Sequence, residues 1–244
     1  MSRNRVLWLS PDDPPEAFPD ISGALHEPDG LLAAGGDLSM ERLLHAYRNG
    51  IFPWFDDGQP ILWWSPDPRC VLCPSEFHTS SRFRRSIGTS RATITINQSF
   101  GEVIRACAGP RRSEQGTWIT AEMIGAYEAL HADGWAHSIE VRDNGSLSGG
   151  LYGIAIGKMF FGESMFSQQS NASKLALLCL CEILHADGFG MIDCQVVSRH
   201  LTTLGASAIP RAKFAAHLQS ACATPSRFDN WPDAAIQVCN LVPK

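Results

Sequence analysis

Long apolar runs are missing from this chain. The N-terminal stretch MSRNRVLWLSPDDPPEAFP offers only VLWL before acids and prolines begin, too short for a membrane span or for the core of a signal peptide. A cytoplasmic protein with no membrane partner is therefore expected. A second half for a zinc site is also missing. Cys70 and Cys73 in RCVLCP have the spacing of one half, but Cys179 and Cys181 lie two apart in a predicted helix and point to nearly opposite sides. The eight cysteines are read as free thiols of a reducing compartment, with neither metal nor cofactor expected. Repeats and low-complexity tracts are absent. Acids are scarce between Arg82 and Arg112, where seven arginines (82, 84, 85, 91, 105, 111 and 112) stand against Glu102 alone, a local +6 in a chain of formal charge -5. The hydroxyls and aromatic ring interleaved with them in HTSSRFRRSIGTSR favour a polyanion held at one place, RNA rather than bulk solvent.

At 244 residues, 44% hydrophobic and 18% charged, the chain can bury a sizeable core as one large domain or as a medium domain with a small companion. The first helix is read in DLSMERLLHAYRNG, capped by Asp37 or Ser39, with Leu43, Leu44 and Tyr47 as its apolar face and Asn49-Gly50 as a left-handed stop. The following GIFPWFDDGQPILWWSPDPR, rich in proline and aromatics, reads as an irregular, rigid segment. Its SPDP is the expected hinge between a small N-terminal domain, residues 1–66, and a larger one, residues 67–244. In the larger part, helices are predicted in NQSFGEVIRACAGP, on Phe100, Val103, Ile104 and Cys107, and in TAEMIGAYEALHADG, on Met123, Ile124, Tyr127 and Leu130 with Thr120 as cap. The period then changes to two. AHSIEVRDNGSLSGGLYGIAIGKMFFGESMF reads as three antiparallel strands turned at Asn144-Gly145 and Gly157-Lys158. The helix NASKLALLCLCEILHADG, a short buried strand MIDCQVV and the helix PRAKFAAHLQSA follow, an α+β order.

Two carboxylates stand out in that order. Glu163 in MFFGESMF is crowded by large apolar residues, and burying an unpaired charge costs several kcal/mol, on the order of 3–5. On the strand MIDCQVV, alternation places Asp193 and Gln195 on one face and Ile192, Cys194 and Val196 on the other. A single helix joins the Glu163 strand to this one, so the two are expected to be sheet neighbours.

Taken in order, GLLAAGGDLS, YRNGIFPWF, ILWWSPDPR, GTWI, AHSIEV, GGLYG, FFGESMFS, NASK, IDCQ and HLTTLGA resemble the leucyl/phenylalanyl-tRNA-protein transferases, from about residue 18 to about residue 214. The resemblance implies an enzyme that moves leucine or phenylalanine from aminoacyl-tRNA to the N-terminal arginine or lysine of an acceptor protein, marking it for degradation. It also implies a GNAT-like acyltransferase domain, a mixed sheet flanked by helices, preceded by a small N-terminal domain.

Such a reaction starts from an activated ester and needs no covalent enzyme nucleophile. It needs a neutral attacking amine, oxyanion stabilisation and a proton for the leaving ribose oxygen. By resemblance Asp193 and Gln195 orient the attacking amine, with Asp193 as a candidate base; Glu163, a carboxylate amid apolar residues, is expected to accept the ammonium of the tRNA-borne amino acid. Leu151, Met165, Leu177 and Ile192 are expected to line the aminoacyl pocket. The same resemblance makes Trp54 and Trp118 candidates for stacking on the terminal adenosine, and Arg82, Arg84, Arg85 and Arg91 are expected to hold tRNA phosphates. One alternative is a coenzyme-A-dependent N-acyltransferase, which would need a glycine-rich turn for the pyrophosphate where this chain has SQQSNAS. Another is a non-catalytic RNA-binding module, which leaves Glu163, Asp193 and Gln195 without a task.

Overall fold

The computed structural model describes residues 6–109, 118–223 and 227–241; Arg111 and Arg112 of the basic stretch lie outside them. Strands β1 (Leu7–Leu9), β2 (Leu31–Gly35), β3 (Phe52–Pro53) and β4 (Leu62–Trp64) form a small sheet in the order β1-β2-β4-β3. The segment expected to be irregular thus contains two strands. Pro53 is tolerated because β3 is an edge, where the missing N–H breaks no ladder. Helix α1 (Met40–Arg48) follows β2, buries Leu43, Leu44 and Tyr47, and ends through Asn49 at Gly50, whose φ of +74° suits glycine.

The large sheet is built from β5 (Arg69–Leu72), β6 (Thr93–Ile96), β7 (Ala136–Asp143), β8 (Ser146–Ile156), β9 (Met159–Ser167), β10 (Met191–Gln195), β11 (Ser207–Ile209) and β12 (Ile236–Gln237). Its order is β11-β5-β10-β9-β8-β7-β6-β12. The three predicted strands are the meander β7-β8-β9, and the predicted neighbours β9 and β10 pair in parallel, the one parallel contact in this sheet among the described residues. The helices are α2 (Ser81–Gly88), α3 (Phe100–Cys107), α4 (Ala121–Ala132), α5 (Ala172–Ala186), α6 (Arg199–Thr202) and α7 (Arg211–Ala221).

Alternation along the central strands feeds two cores. Tyr152, Ile154, Met159 and Phe161 join Val103, Tyr127 and Phe214 on one face, in a cluster that also includes Leu9, Leu32, Tyr47 and Trp63 of the N-terminal part. Leu151, Ala155 and Phe160 face the other way, onto Leu177, Leu180 and Leu184 of α5 and Phe83 of α2. The result is an α+β protein with a mixed sheet flanked by helices and a small sheet before it.

The pairing register shifts at several places, and two of the shifts lie beside the carboxylates. Between Tyr152↔Ser164 and Gly153↔Gly162, β9 advances two residues while β8 advances one, so Glu163 is the extra residue of a bulge. Gly153 sits opposite, where a Cβ would run into the Phe161 carbonyl oxygen. Between Asp193↔Val71 and Gln195↔Cys70, β10 advances two residues against one of β5, and Gln195 takes a φ of +62°. The strand expected to run through MIDCQVV therefore ends at Gln195, and Val196 and Val197 are exposed.

Candidate active site

Pairing of β9 with β10 runs from Met191↔Met159 to Asp193↔Phe161. Beyond that point β9 continues along β8 to Ser167, while β10 stops at its bulge. The parting of the two strands opens the sheet at the positions of Glu163, Asp193 and Gln195.

Glu163 is 8% exposed. Tyr127 Oη donates to its Oε2 at 2.9 Å and Gln195 Nε2 donates to its Oε1 at 2.9 Å. Tyr47 Oη is hydrogen-bonded to Tyr127 Oη, extending the chain to α1. All these partners are neutral. Burial raises the Glu163 carboxyl from 4.5 to about 7, although the bonds from Tyr47, Tyr127 and Gln195 pull toward the ionised form. Burial likewise pushes both phenols well above their ordinary range, with the Glu163 charge adding to it.

Asp193 is fully buried and has a charged partner. Arg69 Nε and Nη2 donate to Oδ1 and Oδ2 at 2.8 and 2.7 Å, a bidentate fork, and the Gln195 backbone N–H adds a bond to Oδ1 at 2.9 Å. Arg69, itself fully buried, donates from Nη1 to the Gly50 carbonyl at 3.0 Å. Its guanidinium lies between the rings of Phe52 and Phe214, 4.8 and 4.6 Å from their centroids.

A cavity of about 120 Å³ opens beside Glu163, lined by Leu151, Met165, Leu177 and Ile192, with Phe160, Leu180, Cys194 and Leu201 as further walls and Gln195 at the polar end. The structure thus brings together the four predicted pocket residues, Glu163 and Gln195. Asp193 does not line the cavity. The expectation that Asp193 and Gln195 project together from one strand face is corrected, because the bulge turns Gln195 toward Glu163 while Asp193 points to Arg69 on the opposite face.

The other predicted residues lie apart from the cavity. Trp54 is 44% exposed and its ring packs 5.8 Å from that of Trp64, while Trp118 is half-buried against the core shared with the N-terminal sheet. Arg82, Arg84, Arg85 and Arg91 are exposed on and just after α2, whose Phe83 and Ile87 are buried. Among the described residues none of these four arginines pairs with an acid; Arg84 reaches Thr79 and Arg85 a backbone carbonyl.

Tyr47, Tyr127 and Arg69 were not singled out for the site from sequence. The signal for the tyrosines was there: two phenols on the apolar stripes of predicted helices need hydrogen-bond partners once buried. Arg69 carried a fainter one, a single cation beside the apolar run CVL.

The arrangement has an apolar cavity, a buried carboxyl at its end surrounded by neutral donors, and an amide that reaches it. Such a cavity suits a molecule with an apolar side chain next to an ammonium. The sequence model of the leucyl/phenylalanyl-tRNA protein transferases matches residues 71–219, and that of their N-terminal domain matches residues 36–67. The leucyl/phenylalanyl-tRNA--protein transferase of Azotobacter vinelandii is 54% identical over 213 residues, 87% of this chain and 94% of the relative. That of Pseudomonas fluorescens is 55% identical over 88% of this chain and 94% of its own. That of Xanthomonas campestris is 53% identical over 95% of this chain and 93% of its own. Among solved structures, FemX overlaps 65% of this chain and 60% of its own at 11% identity and a TM-score of 0.41, too distant to argue from. With both family models matched in order and relatives more than half identical along most of its length, this chain belongs to the leucyl/phenylalanyl-tRNA protein transferase family.

Proposed function

We propose that the protein joins leucine or phenylalanine, carried as the ester of tRNA, to the N-terminal arginine or lysine of an acceptor protein, marking it for degradation in the cytoplasm. The acceptor amine attacks the ester carbonyl, a peptide bond forms, the ester C–O bond breaks, and the ribose hydroxyl leaves with a proton. The observation that carries this reading is the cavity of Leu151, Met165, Leu177 and Ile192 ending at Glu163. An apolar side chain fills it, and the donor ammonium meets a carboxyl whose present partners are all neutral. A β-branched side chain meets the walls one atom sooner than leucine does.

Within this reading Glu163 holds the donor ammonium and Gln195 orients groups at the reacting carbonyl. Asp193 acts as a positioning residue, through the Gln195 backbone and Arg69, since its oxygens are already occupied. Trp54 and Trp118 stack on the terminal adenosine, and Arg82, Arg84, Arg85 and Arg91 hold phosphates of the acceptor stem. Residues 1–66 serve as a small N-terminal domain and 67–244 as the transferase domain. Labelled leucyl-tRNA with a peptide beginning in arginine tests the function: label is expected in the peptide, and label entering from acetyl-coenzyme A alone refutes the reading.

A further inference from the structure

Next to the two carboxylates lies a pair of thiols that the transfer reaction does not use. The bulge in β10 sets both Cys194 and Gln195 opposite Cys70 of β5. Facing residues of antiparallel neighbours stand about 5 Å apart at Cα, inside the range that a disulfide spans. Both side chains lie on the α5 side of the sheet, Cys70 within that core and Cys194 packed against it. Cys194 Sγ reaches the Ile192 carbonyl at 3.9 Å, and the two neighbouring thiols shift one another, Cys70 below the ordinary thiol range and Cys194 above it. Cys194 is half-buried and forms part of the wall of the aminoacyl cavity. Cys179 and Cys181 are buried in the same core and do not line the cavity.

We propose that Cys70 and Cys194 are a modification site, an oxidisable dithiol that a peroxide entering the cavity converts to a disulfide, disabling the transfer site beside it. The Cys194 sulfur attacks one peroxide oxygen and the O–O bond breaks, leaving a sulfenic acid and one water that carries off the thiol proton. The Cys70 sulfur then attacks the Cys194 sulfur; the S–O bond breaks, and hydroxide leaves and takes the Cys70 proton as a second water. Two thiols lose two electrons and the peroxide gains them. Closing the S–S bond to about 2 Å draws Cys194 toward β5. Asp193 and Gln195 flank it, and the Gln195 amide, held in a left-handed conformation at the bulge, is pulled away from Glu163. An occupied cavity covers Cys194, so bound donor protects the pair.

The loss of transfer rests on the proposed function, but formation of the disulfide does not. Reduced wild-type protein is treated with hydrogen peroxide, with and without a non-hydrolysable leucyl-adenosine. Remaining thiols are then alkylated and the peptides mapped without reduction, while transfer is assayed before treatment, after it and after dithiothreitol. The expected result is a linked Cys70–Cys194 peptide, slowed by the leucyl-adenosine, with transfer reduced about 100-fold, as misplacement by about 1 Å near reacting groups can produce, and restored by dithiothreitol. Full alkylation of both thiols after peroxide, or a Cys70–Cys194 link with unchanged transfer, overturns the proposal. If the reduced protein transfers nothing, the function assigned to the site fails separately, and the peptide map still decides the dithiol.

Discussion

Asp193 and Glu163 are buried carboxyl groups joined through one residue, Gln195, yet their surroundings are opposites. Asp193 meets a guanidinium that matches both of its oxygens, with a backbone N–H completing the set. Glu163 meets a phenol and an amide, each able to donate but neither charged. The first environment compensates a negative charge within the fold, while the second supplies hydrogen bonds and no positive charge. A buried pair complete in itself fixes geometry; a buried carboxyl with neutral partners can exchange charge with a ligand.

The comparison is broken most severely by taking away the partner of Arg69. Asp193→Ala leaves a fully buried guanidinium without its counter-ion, and the unfolding free energy in urea is expected to fall by about 3–5 kcal/mol. A loss under about 1 kcal/mol, the size of an exposed pair, would mean that the Arg69–Asp193 fork does not hold the strands.

Glu163→Gln is expected to act on the ligand instead. Half-saturation by leucyl-tRNA in single-turnover transfer should rise about tenfold, because a charge-assisted bond to the donor ammonium becomes a neutral one. Stability should respond in the opposite sense. The folded value of Glu163, about 7, lies above its ordinary 4.5, so the folded state binds the proton more tightly. The stabilisation this gives is complete below pH 4.5 and is lost as pH rises toward about 7. In the glutamine variant the contribution of this group to the slope across that window is expected to vanish, and above pH 7 the variant is expected to be no less stable than wild type. A variant that lowers only the transfer rate at saturating donor would remove the donor-ammonium role from Glu163.

Tyr127→Phe sharpens the contrast more gently. It deletes one neutral donor to Glu163 and the bond between the two tyrosines, with an expected cost of about 1 kcal/mol in donor binding and a further rise of the Glu163 carboxyl. Titration of donor binding against pH would locate the rise, and an unmoved midpoint would show that the phenol does not tune the carboxyl. The smallest effect on the fold belongs to Arg84→Ala with Arg85→Ala, two exposed cations with no acid partner among the described residues, where Arg69 is buried and paired. Stability should stay within about 0.5 kcal/mol of wild type, while the dependence of tRNA binding on salt should lose about two from its logarithmic slope. An unchanged slope would put the RNA on another face.

Much of this protein was written locally and could be read without a structure. Apolar spacing on Phe100, Val103, Ile104 and Cys107, the Thr120 cap and the Asn144-Gly145 turn act over a few residues, and each is found where its chemistry demands. The pocket walls Leu151, Met165, Leu177 and Ile192 were legible because ordered motifs carry family positions with them. The two bulges were not legible. Whether a strand keeps its period of two depends on what stands opposite, and Gly153 and Cys70, which face the breaks, belong to other strands. For the same reason a reading of MIDCQVV alone put Asp193 and Gln195 on one face. Arg69 and Asp193 are separated by 124 residues and Tyr47 and Tyr127 by 80. The sequence by itself determined the elements and the kinds of side chain available to the site; which carboxylate met a cation and which met only neutral donors was decided only when β5, β10 and α1 packed against one another, since electrostatic compensation inside a fold depends on distance in space.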